Sequence, residues 1–251
     1  MARRAVEYEV RRRAQIVPTG GERTVADARQ DLDRLSEIIR MPAGMTIAED
    51  AVGGVPGSWL CPTTPDESSV VLYLHGGGYV AGSVHSHRGI AGHITEAIGV
   101  PAFLAEYRLA PEHPFPAALD DAVAAFLALA EETTPERILV MGDSAGGGLS
   151  LALSLTLRDR SLPMPGAIVA LSPWTDLAGT GESLIDRASD EVMLDPTKIR
   201  EVGEMYAGDL PLSDPLISPL YADPDGLPPT LIHVGDHEIL LDDSVRFWEE
   251  C

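Results

Sequence analysis

A five-residue segment, Gly142-Asp143-Ser144-Ala145-Gly146, has the form in which a serine serves as a nucleophile. It follows an apolar run, residues 137–141, that predicts a strand, and precedes a run rich in small residues, 145–158, that predicts a helix. Such a strand–turn–helix lifts the serine hydroxyl above the sheet, and the flanking glycines let the strained turn close. A chance Gly/Ser turn is the alternative. The setting favours Ser144 as the nucleophile of an acyl-transfer reaction.

A second segment, His75-Gly76-Gly77-Gly78, also comes straight after an apolar run. Consecutive glycines expose backbone N–H groups, which can bind the negative oxygen that develops during acyl transfer. We predict that Gly77 and Gly78 donate these N–H groups, with Ala145 as the third donor, and that His75 holds the loop by a side-chain hydrogen bond. The alternatives are a flexible loop or a phosphate cradle. A phosphate loop would continue with Lys and Ser or Thr, whereas a tyrosine and a valine follow here.

Apolar strands alternate with helices along the rest of the chain, an order typical of a mostly parallel sheet with helices on both faces. The predicted strands are residues 70–74, 102–105, 137–141, 167–171 and 230–234, and the predicted helices are residues 116–131, residues 145–158 and a segment from Leu240 onward. Ligands bind at the carboxyl edge of such sheets, where both glycine motifs are expected.

Two segments do not fit this alternation. Residues 24–40 predict a helix, because Thr24 and Asp27 come close to a capping box and apolar residues recur at steps of three and four. Residues 172–228 are dominated by Gly, Ser, Asp and Pro, with one modest helix over residues 196–206. We predict that both segments lie over the carboxyl edge of the sheet and form a lid.

The two motifs and two further segments make the sequence resemble the hormone-sensitive-lipase family of esterases, the bacterial family IV. The further segments are Tyr107-Arg108-Leu109-Ala110-Pro111-Glu112-His113-Pro114-Phe115-Pro116-Ala117-Ala118 and Ser172-Pro173-Trp174-Thr175-Asp176-Leu177. The resemblance implies an α/β-hydrolase fold, a mostly parallel sheet flanked by helices with a helical cap. It implies that residues 1–50 belong to the cap, that residues 51–251 form the catalytic domain, and that a cap insertion lies around residues 178–212. Gly76 and Asp143 are carried over as residues that support the motifs.

The acid of a catalytic triad is expected after the serine, on the loop that follows a later strand. That loop is residues 235–243, and the resemblance places the acid four residues before an aspartate, which selects Glu238 with Asp242. A carboxylate there would hold the tautomer of a catalytic imidazole and stabilise its cation. Asp236 is the second choice. On so acidic a chain, either carboxylate could instead be a solvated charge at a helix start.

The catalytic histidine is expected beyond the helix that starts near Leu240, but the sequence ends at Cys251. The seven histidines present are His75, His85, His87, His93, His113, His233 and His237, and none has the chain position of a triad base. We interpret His85, His87 and His93 as surface or helix-start residues. The expectation is therefore a C-terminally truncated chain with low activity, or a protein that works without the usual base.

Composition excludes several classes of function. The chain has 18 Lys and Arg against 39 Asp and Glu, a net charge of −21 that disfavours nucleic-acid binding. Cys61 and Cys251 form neither a disulfide framework nor a metal motif, and we expect no metal or cofactor. No run has the length of a membrane span or the form of a secretory signal, which predicts a cytoplasmic protein without membrane contact. Homo-oligomer formation is left open.

These residues predict a carboxylic ester hydrolase that acts on small molecules with short-to-medium acyl groups, through a serine acyl-enzyme. Peptidase activity is a minor variant. The alternative is an impaired or non-catalytic member of the same fold that binds a small ligand, as in the plant gibberellin receptor, which resembles this family and lacks the histidine. The glycine loop and Ser144 favour the esterase, because a binding protein needs neither.

Overall fold

The computed structural model describes residues 24–34 and 39–251, and its centre is a seven-stranded sheet. The strands are β1 (Thr46–Val52), β2 (Val55–Cys61), β3 (Val70–Leu74), β4 (Ala102–Ala105), β5 (Ile138–Asp143), β6 (Ala167–Leu171) and β7 (Thr230–His233). They lie in the order β1-β2-β4-β3-β5-β6-β7. The pairs from β4 to β7 are parallel, whereas β2 is antiparallel to both β1 and β4.

Helices cover both faces of this sheet. They are α1 (Val25–Asp33), α2 (Val84–Ile98), α3 (Ala117–Glu132), α4 (Ala145–Asp159), α5 (Ser183–Asp186), α6 (Ile199–Ala207) and α7 (Leu241–Glu250). Because successive side chains of a strand point to opposite faces, β3 contributes to two cores. Leu72 and Leu74 belong to the larger core with residues of α3 and α4, while Val71 and Tyr73 pack in a second core with Ala91 of α2.

Most of the predicted elements are confirmed. The strands over residues 70–74, 102–105 and 167–171 have the predicted bounds, and the strand predicted at 230–234 ends one residue early, at His233. The strand predicted at 137–141 runs instead from Ile138 to Asp143, because Arg137 closes a 3-10 turn that begins at Pro135. The α/β-hydrolase architecture, with its mostly parallel sheet between helices, is the predicted one.

The prediction of local structure missed some elements and gave two helices the wrong bounds. The β1–β2 hairpin and α2 were not predicted. The helix predicted over residues 24–40 ends at Asp33, and residues 39 and 40 are not helical, while residues 35–38 lie outside the described residues. Its capping box between Thr24 and Asp27 is confirmed. The helix predicted over residues 196–206 begins only at Ile199.

The division into cap and catalytic domain stays a prediction, and residues 46–50 belong to β1 of the sheet. Over the described ranges, no helix combines the length and hydrophobicity that crossing a bilayer requires. At the β7 edge of the sheet, large apolar side chains are exposed, among them Leu231 on β7 and Val245 and Trp248 on α7.

Candidate active site

The topology brings the two glycine motifs together. Strands β3 and β5 are adjacent and parallel, and their registered pairs end with Leu74 opposite Gly142. The segments that follow them, the glycine loop at residues 75–78 and the turn at Ser144, therefore emerge side by side from the carboxyl edge of the sheet. This edge is where ligands bind in open parallel sheets.

Ser144 occupies a strained backbone conformation between β5 and α4. Its φ is 52° and its ψ is −120°, a combination that non-glycine residues rarely adopt. Hydrogen bonds hold it there: the Ser144 N–H donates to the carbonyl of Leu171 at 2.8 Å, and the Ser144 carbonyl accepts the N–H groups of Gly148 and Trp174. The Ser144 hydroxyl has no hydrogen-bond partner among the described residues, so it is available to a ligand.

The glycines that flank the turn are required by close backbone approach. A Cβ on Gly142 would lie 2.3 Å from the carbonyl oxygen of Gly146, and a Cβ on Gly146 would lie 2.0 Å from the carbonyl oxygen of Leu74. Both are backbone atoms that cannot rotate away. The missing side chains allow α4 to begin directly against the end of β3, which brings its first N–H group to the glycine loop.

The glycine loop presents unpaired N–H groups beside Ser144. Gly77 and Gly78 have φ values of 125° and 64°, and their N–H groups make no hydrogen bond within the part of the chain that the structure describes. The same holds for the N–H of Ala145, the first residue of α4. The carbonyl of Gly77 accepts the N–H groups of Val80 and Ala81, which fixes the loop. Unpaired backbone N–H groups of this kind are what an oxyanion requires.

His75 lies beneath this loop and is fully buried. Its Nδ1 is 2.8 Å from the carbonyl oxygen of Gly76, its ring stacks on Tyr107 with centroids 4.2 Å apart, and the Tyr107 hydroxyl donates to the His75 carbonyl at 2.6 Å. Burial lowers the pKa of His75 to about 3, so the ring is neutral. These contacts make His75 a structural support of the loop.

The predicted acid, Glu238, lies in the loop between β7 and α7. Since β7 pairs with β6, whose last residue binds the Ser144 N–H, this loop leaves the same edge of the sheet. Glu238 is half-buried, and its Oε1 accepts the Gly235 N–H at 2.8 Å. The second choice, Asp236, is exposed over 84% of its side chain, and Asp242 accepts the Ser183 N–H at 2.9 Å. Because Glu238 is more buried than Asp236, its burial favours Glu238 over Asp236 as the candidate acid.

None of the histidines hydrogen-bonds to the Ser144 hydroxyl within residues 24–34 and 39–251. His93 is exposed and contacts the Arg40 carbonyl, and His237 is exposed beside Asp190. His87 corrects the interpretation of its segment. It stands in the first turn and a half of α2, as a helix-start residue, but it is only 3% exposed and its Nε2 is 3.3 Å from Oδ2 of Asp143.

Aromatic and aliphatic side chains from the segment after β6 pack against the glycine loop. A Cβ on Gly78 would lie 2.8 Å from Cγ1 of Val202 and 3.9 Å from the Trp174 ring. Behind them, Tyr79 stacks on Tyr206 with centroids 3.7 Å apart. Helix α6, which carries Val202 and Tyr206, therefore lies against the loop and limits the space beside it. Both residues belong to the helix predicted over residues 196–206, but the sequence analysis assigned neither of them to the site.

Arg29 on α1 also contacts the site. Its Nε donates to the carbonyl of Val80 at 2.8 Å, its Nη2 donates to the carbonyl of Ala110 at 3.1 Å, and its guanidinium pairs with both carboxylate oxygens of Glu112. The first helix is thus bound to the end of the glycine loop. No local pattern pointed to Arg29, because its partners lie more than 50 residues away.

No group of three or more His, Cys, Asp or Glu side chains is arranged to hold a metal ion in the described part of the chain. The polar groups at this edge of the sheet include the Ser144 hydroxyl, the unpaired N–H groups of Gly77, Gly78 and Ala145, and the carboxylate of Glu238.

Comparison with known proteins agrees with this geometry. The family model for the alpha/beta hydrolase fold matches residues 71–251. An acetyl-hydrolase of Streptomyces hygroscopicus is 43% identical over 77% of the chain, and an esterase of Acinetobacter venetianus is 35% identical over 88%. The aligned parts are 64% of the acetyl-hydrolase and 73% of the esterase.

Solved structures of esterases are also similar to this chain. The chain superimposes on the esterase EstE5 with a TM-score of 0.93 at 37% identity, over 98% of this chain and 82% of that one. It superimposes on an esterase from the bacterial hormone-sensitive lipase family with a TM-score of 0.92 at 39% identity, over the same shares of the two chains.

Proposed function

Because the chain belongs to the α/β-hydrolase family, with esterases of the hormone-sensitive-lipase group among its relatives, we propose that it hydrolyses carboxylic esters through Ser144. The observation that carries the proposal is the strained Ser144 beside three free N–H groups, those of Gly77, Gly78 and Ala145. A serine without such donors would have no means of stabilising a tetrahedral oxyanion.

In the proposed reaction, the Ser144 oxygen attacks the ester carbonyl carbon as its proton passes to an imidazole base, a role for which no histidine of the described residues is placed. The carbonyl oxygen becomes an oxyanion, which accepts the three N–H groups, and the alcohol leaves with a proton as the acyl-enzyme forms. Water then attacks the acyl-enzyme, releasing the carboxylic acid and restoring the hydroxyl. Glu238 is proposed to orient an imidazole base and stabilise its cation.

We propose short-to-medium acyl groups as substrates. Val202 and Trp174 lie close to Gly78. Their bulky side chains would therefore limit the length of an acyl chain whose carbonyl oxygen is bound at the glycine loop. The relative from Streptomyces is an acetyl-hydrolase, which agrees with a small acyl site.

The test is reaction of the purified chain with a fluorophosphonate, alongside turnover of p-nitrophenyl acetate and butyrate. We expect labelling of Ser144, found by mass spectrometry of the modified peptide, and loss of both labelling and turnover in Ser144→Ala. Ser161 has a similar positive φ, 53°, but no glycine loop beside it, so Ser161→Ala is the matched control and should leave both measurements unchanged.

Two outcomes would count against the proposal. Turnover that persists in Ser144→Ala would assign the nucleophile elsewhere. Binding of an ester to a wild-type chain that is neither labelled nor active would favour the alternative, a ligand-binding protein of this fold.

A further inference from the structure

A pair formed by a buried histidine and a partly buried carboxylate lies beside the proposed oxyanion site, and the reaction described above does not use it. Nε2 of His87, on α2, is 3.3 Å from Oδ2 of Asp143, the residue that precedes Ser144. The other carboxylate oxygen of Asp143, Oδ1, accepts the N–H of Gly76 at 3.2 Å and the hydroxyl of Tyr73 at 3.0 Å. Asp143 therefore joins the nucleophile turn to the glycine loop, and His87 joins Asp143 to α2.

Hydrogen-bond partners flank both ring nitrogens of His87. Nδ1 lies 2.8 Å from the hydroxyl of Ser86, which also lies 3.0 Å from the carbonyl oxygen of Ser83. When the single Ser86 proton points to that carbonyl, Nδ1 donates to the Ser86 oxygen. Nε2 faces a carboxylate, which only accepts. The surroundings therefore accommodate a proton on both ring nitrogens, and the carboxylate beside Nε2 stabilises the imidazolium cation.

The charged groups that face His87 support this protonation. Burial disfavours the cation, but the Asp143 carboxylate and, at longer range, Glu106 raise the pKa of His87. Burial likewise opposes ionisation of Asp143, yet His87 keeps the pKa of that carboxyl below its usual value. The nearby His75 ring is neutral, and Asp33 approaches only through the Ser83 hydroxyl, at 2.7 Å.

The position of this pair gives it a consequence for the reaction. Asp143 neighbours the nucleophile, and it holds the N–H of Gly76, the residue before the two glycine donors. An uncompensated carboxylate there would repel the negative charge that develops on the oxyanion, and in a partly dehydrated site such repulsion is poorly screened. The imidazolium removes that repulsion while leaving the hydrogen bonds of Asp143 intact.

We propose that His87 is a positioning residue of the ester hydrolase, which holds Asp143 against the glycine loop and cancels its charge beneath the oxyanion. The inference rests on the proposed function of Ser144. It differs from a purely structural role, because it requires the charge of His87 and not only its volume.

The test compares the wild type and four variants by the second-order rate of fluorophosphonate labelling and by kcat and KM for p-nitrophenyl acetate. The variants are His87→Gln, Asp143→Asn and the double variant, and the control is His93→Gln, the same change at an exposed position of α2. Urea unfolding of each protein accompanies the kinetics.

We expect His87→Gln to lower the labelling rate and kcat by about 10- to 100-fold with little change in KM, since the loss is felt in the transition state. The double variant has no charge at either position, and an asparagine oxygen can still accept from Gly76. It should therefore label faster than His87→Gln, at about the rate of Asp143→Asn. The His93→Gln control should match the wild type.

The pH dependence provides a readout that does not depend on the folding of His87→Gln. In the wild type, the labelling rate should fall at alkaline pH as His87 loses its proton and leaves Asp143 uncompensated. In Asp143→Asn this fall should be absent. Ring-nitrogen NMR shifts of the wild type should show both nitrogens of His87 protonated at pH 7.

These readouts separate the two proposals. A wild type that is neither labelled nor active would end the esterase proposal, whereas the NMR shifts would still report the charge of His87. Neutral His87 at pH 7, a double variant no faster than His87→Gln, or an alkaline fall shared by Asp143→Asn would each overturn the role assigned to His87.

Discussion

Replacement of Gly146 by alanine should destabilise the fold, although alanine is the better helix former. Gly146 is the second residue of α4, and an alanine Cβ there would lie 2.0 Å from the carbonyl oxygen of Leu74 and 2.5 Å from that of His75. Both atoms belong to the backbone at the end of β3. The start of α4 must therefore move away from the strand, or the strand end must move.

The size of the effect follows from the overlap. A carbon and an oxygen in contact are normally more than 3 Å apart, so the shift needed is about 1 Å, and overpacking of this kind costs about 1–3 kcal/mol or more. The gain in helix propensity from Gly to Ala, at most about 1 kcal/mol, offsets part of that cost. We expect a net loss of about 2 kcal/mol in the free energy of unfolding. For a domain of this size, that corresponds to a fall in Tm of about 4–8 °C.

Urea unfolding followed by circular dichroism measures this loss, with Gly92→Ala as the control. Gly92 is also helical, but an alanine Cβ there would be no closer than 3.1 Å to its neighbours, the nearest being the flexible thioether of Met45. Gly92→Ala should be at least as stable as the wild type, by up to about 1 kcal/mol from helix propensity. A Gly146→Ala protein with the wild-type urea midpoint would refute the reasoning, because it would mean that α4 and β3 can separate at no cost.

Three further predictions address the acid, the pH dependence of stability and the acyl site. In a version of the chain extended to carry a triad histidine, Glu238→Gln should lower kcat by orders of magnitude, about 10⁴-fold in a serine triad, with little change in KM, whereas Asp236→Asn should stay near the extended parent; the reverse ranking in p-nitrophenyl acetate turnover would assign the acid to Asp236. Burial, and then the Asp176 carboxylate, raise the pKa of Asp243 to about 7 from 3.8. The folded state therefore holds this proton more tightly, and the Asp243 contribution to stability is lost as the pH rises from about 4 to 7. Asp243→Asn should be more stable relative to the wild type at pH 8 than at pH 5, and an equal difference in urea unfolding at the two pH values would contradict this. Val202→Ala should raise the kcat/KM ratio of p-nitrophenyl hexanoate to acetate by about tenfold, and an unchanged ratio would place the acyl chain away from Val202.

Local sequence was sufficient for the parallel strands, β3 to β7, and failed for the antiparallel β1–β2 hairpin at one side of the sheet. Strands β3 and β4 are buried at every residue, so they are continuous apolar runs that only a covered strand requires. Strand β1 is exposed at six of its seven residues and carries Glu49 and Asp50, which hide the pattern. The pair Gly53-Gly54, with φ values of 61° and 81°, was the available signal for the hairpin.

The turn at Ser144 and the glycine loop could be recognised from the sequence alone, because each requires a particular set of residues within five positions. Glycines two positions before and after Ser144, and consecutive glycines after a strand, are local demands of backbone geometry, and local demands can be recognised without the fold.

The surroundings of these motifs depend on contacts that exist only in the folded chain. The pairing of His87 with Asp143, the contact of Val202 with Gly78 and the binding of Arg29 to Val80 each join residues more than 50 positions apart. These residues meet because β3 and β5 are neighbours and because α1, α2 and α6 pack beside the ends of these strands. Nothing in the local sequence distinguishes a histidine that will face solvent from one that will face a partly buried carboxylate, since the difference lies in the partner that the fold brings to it.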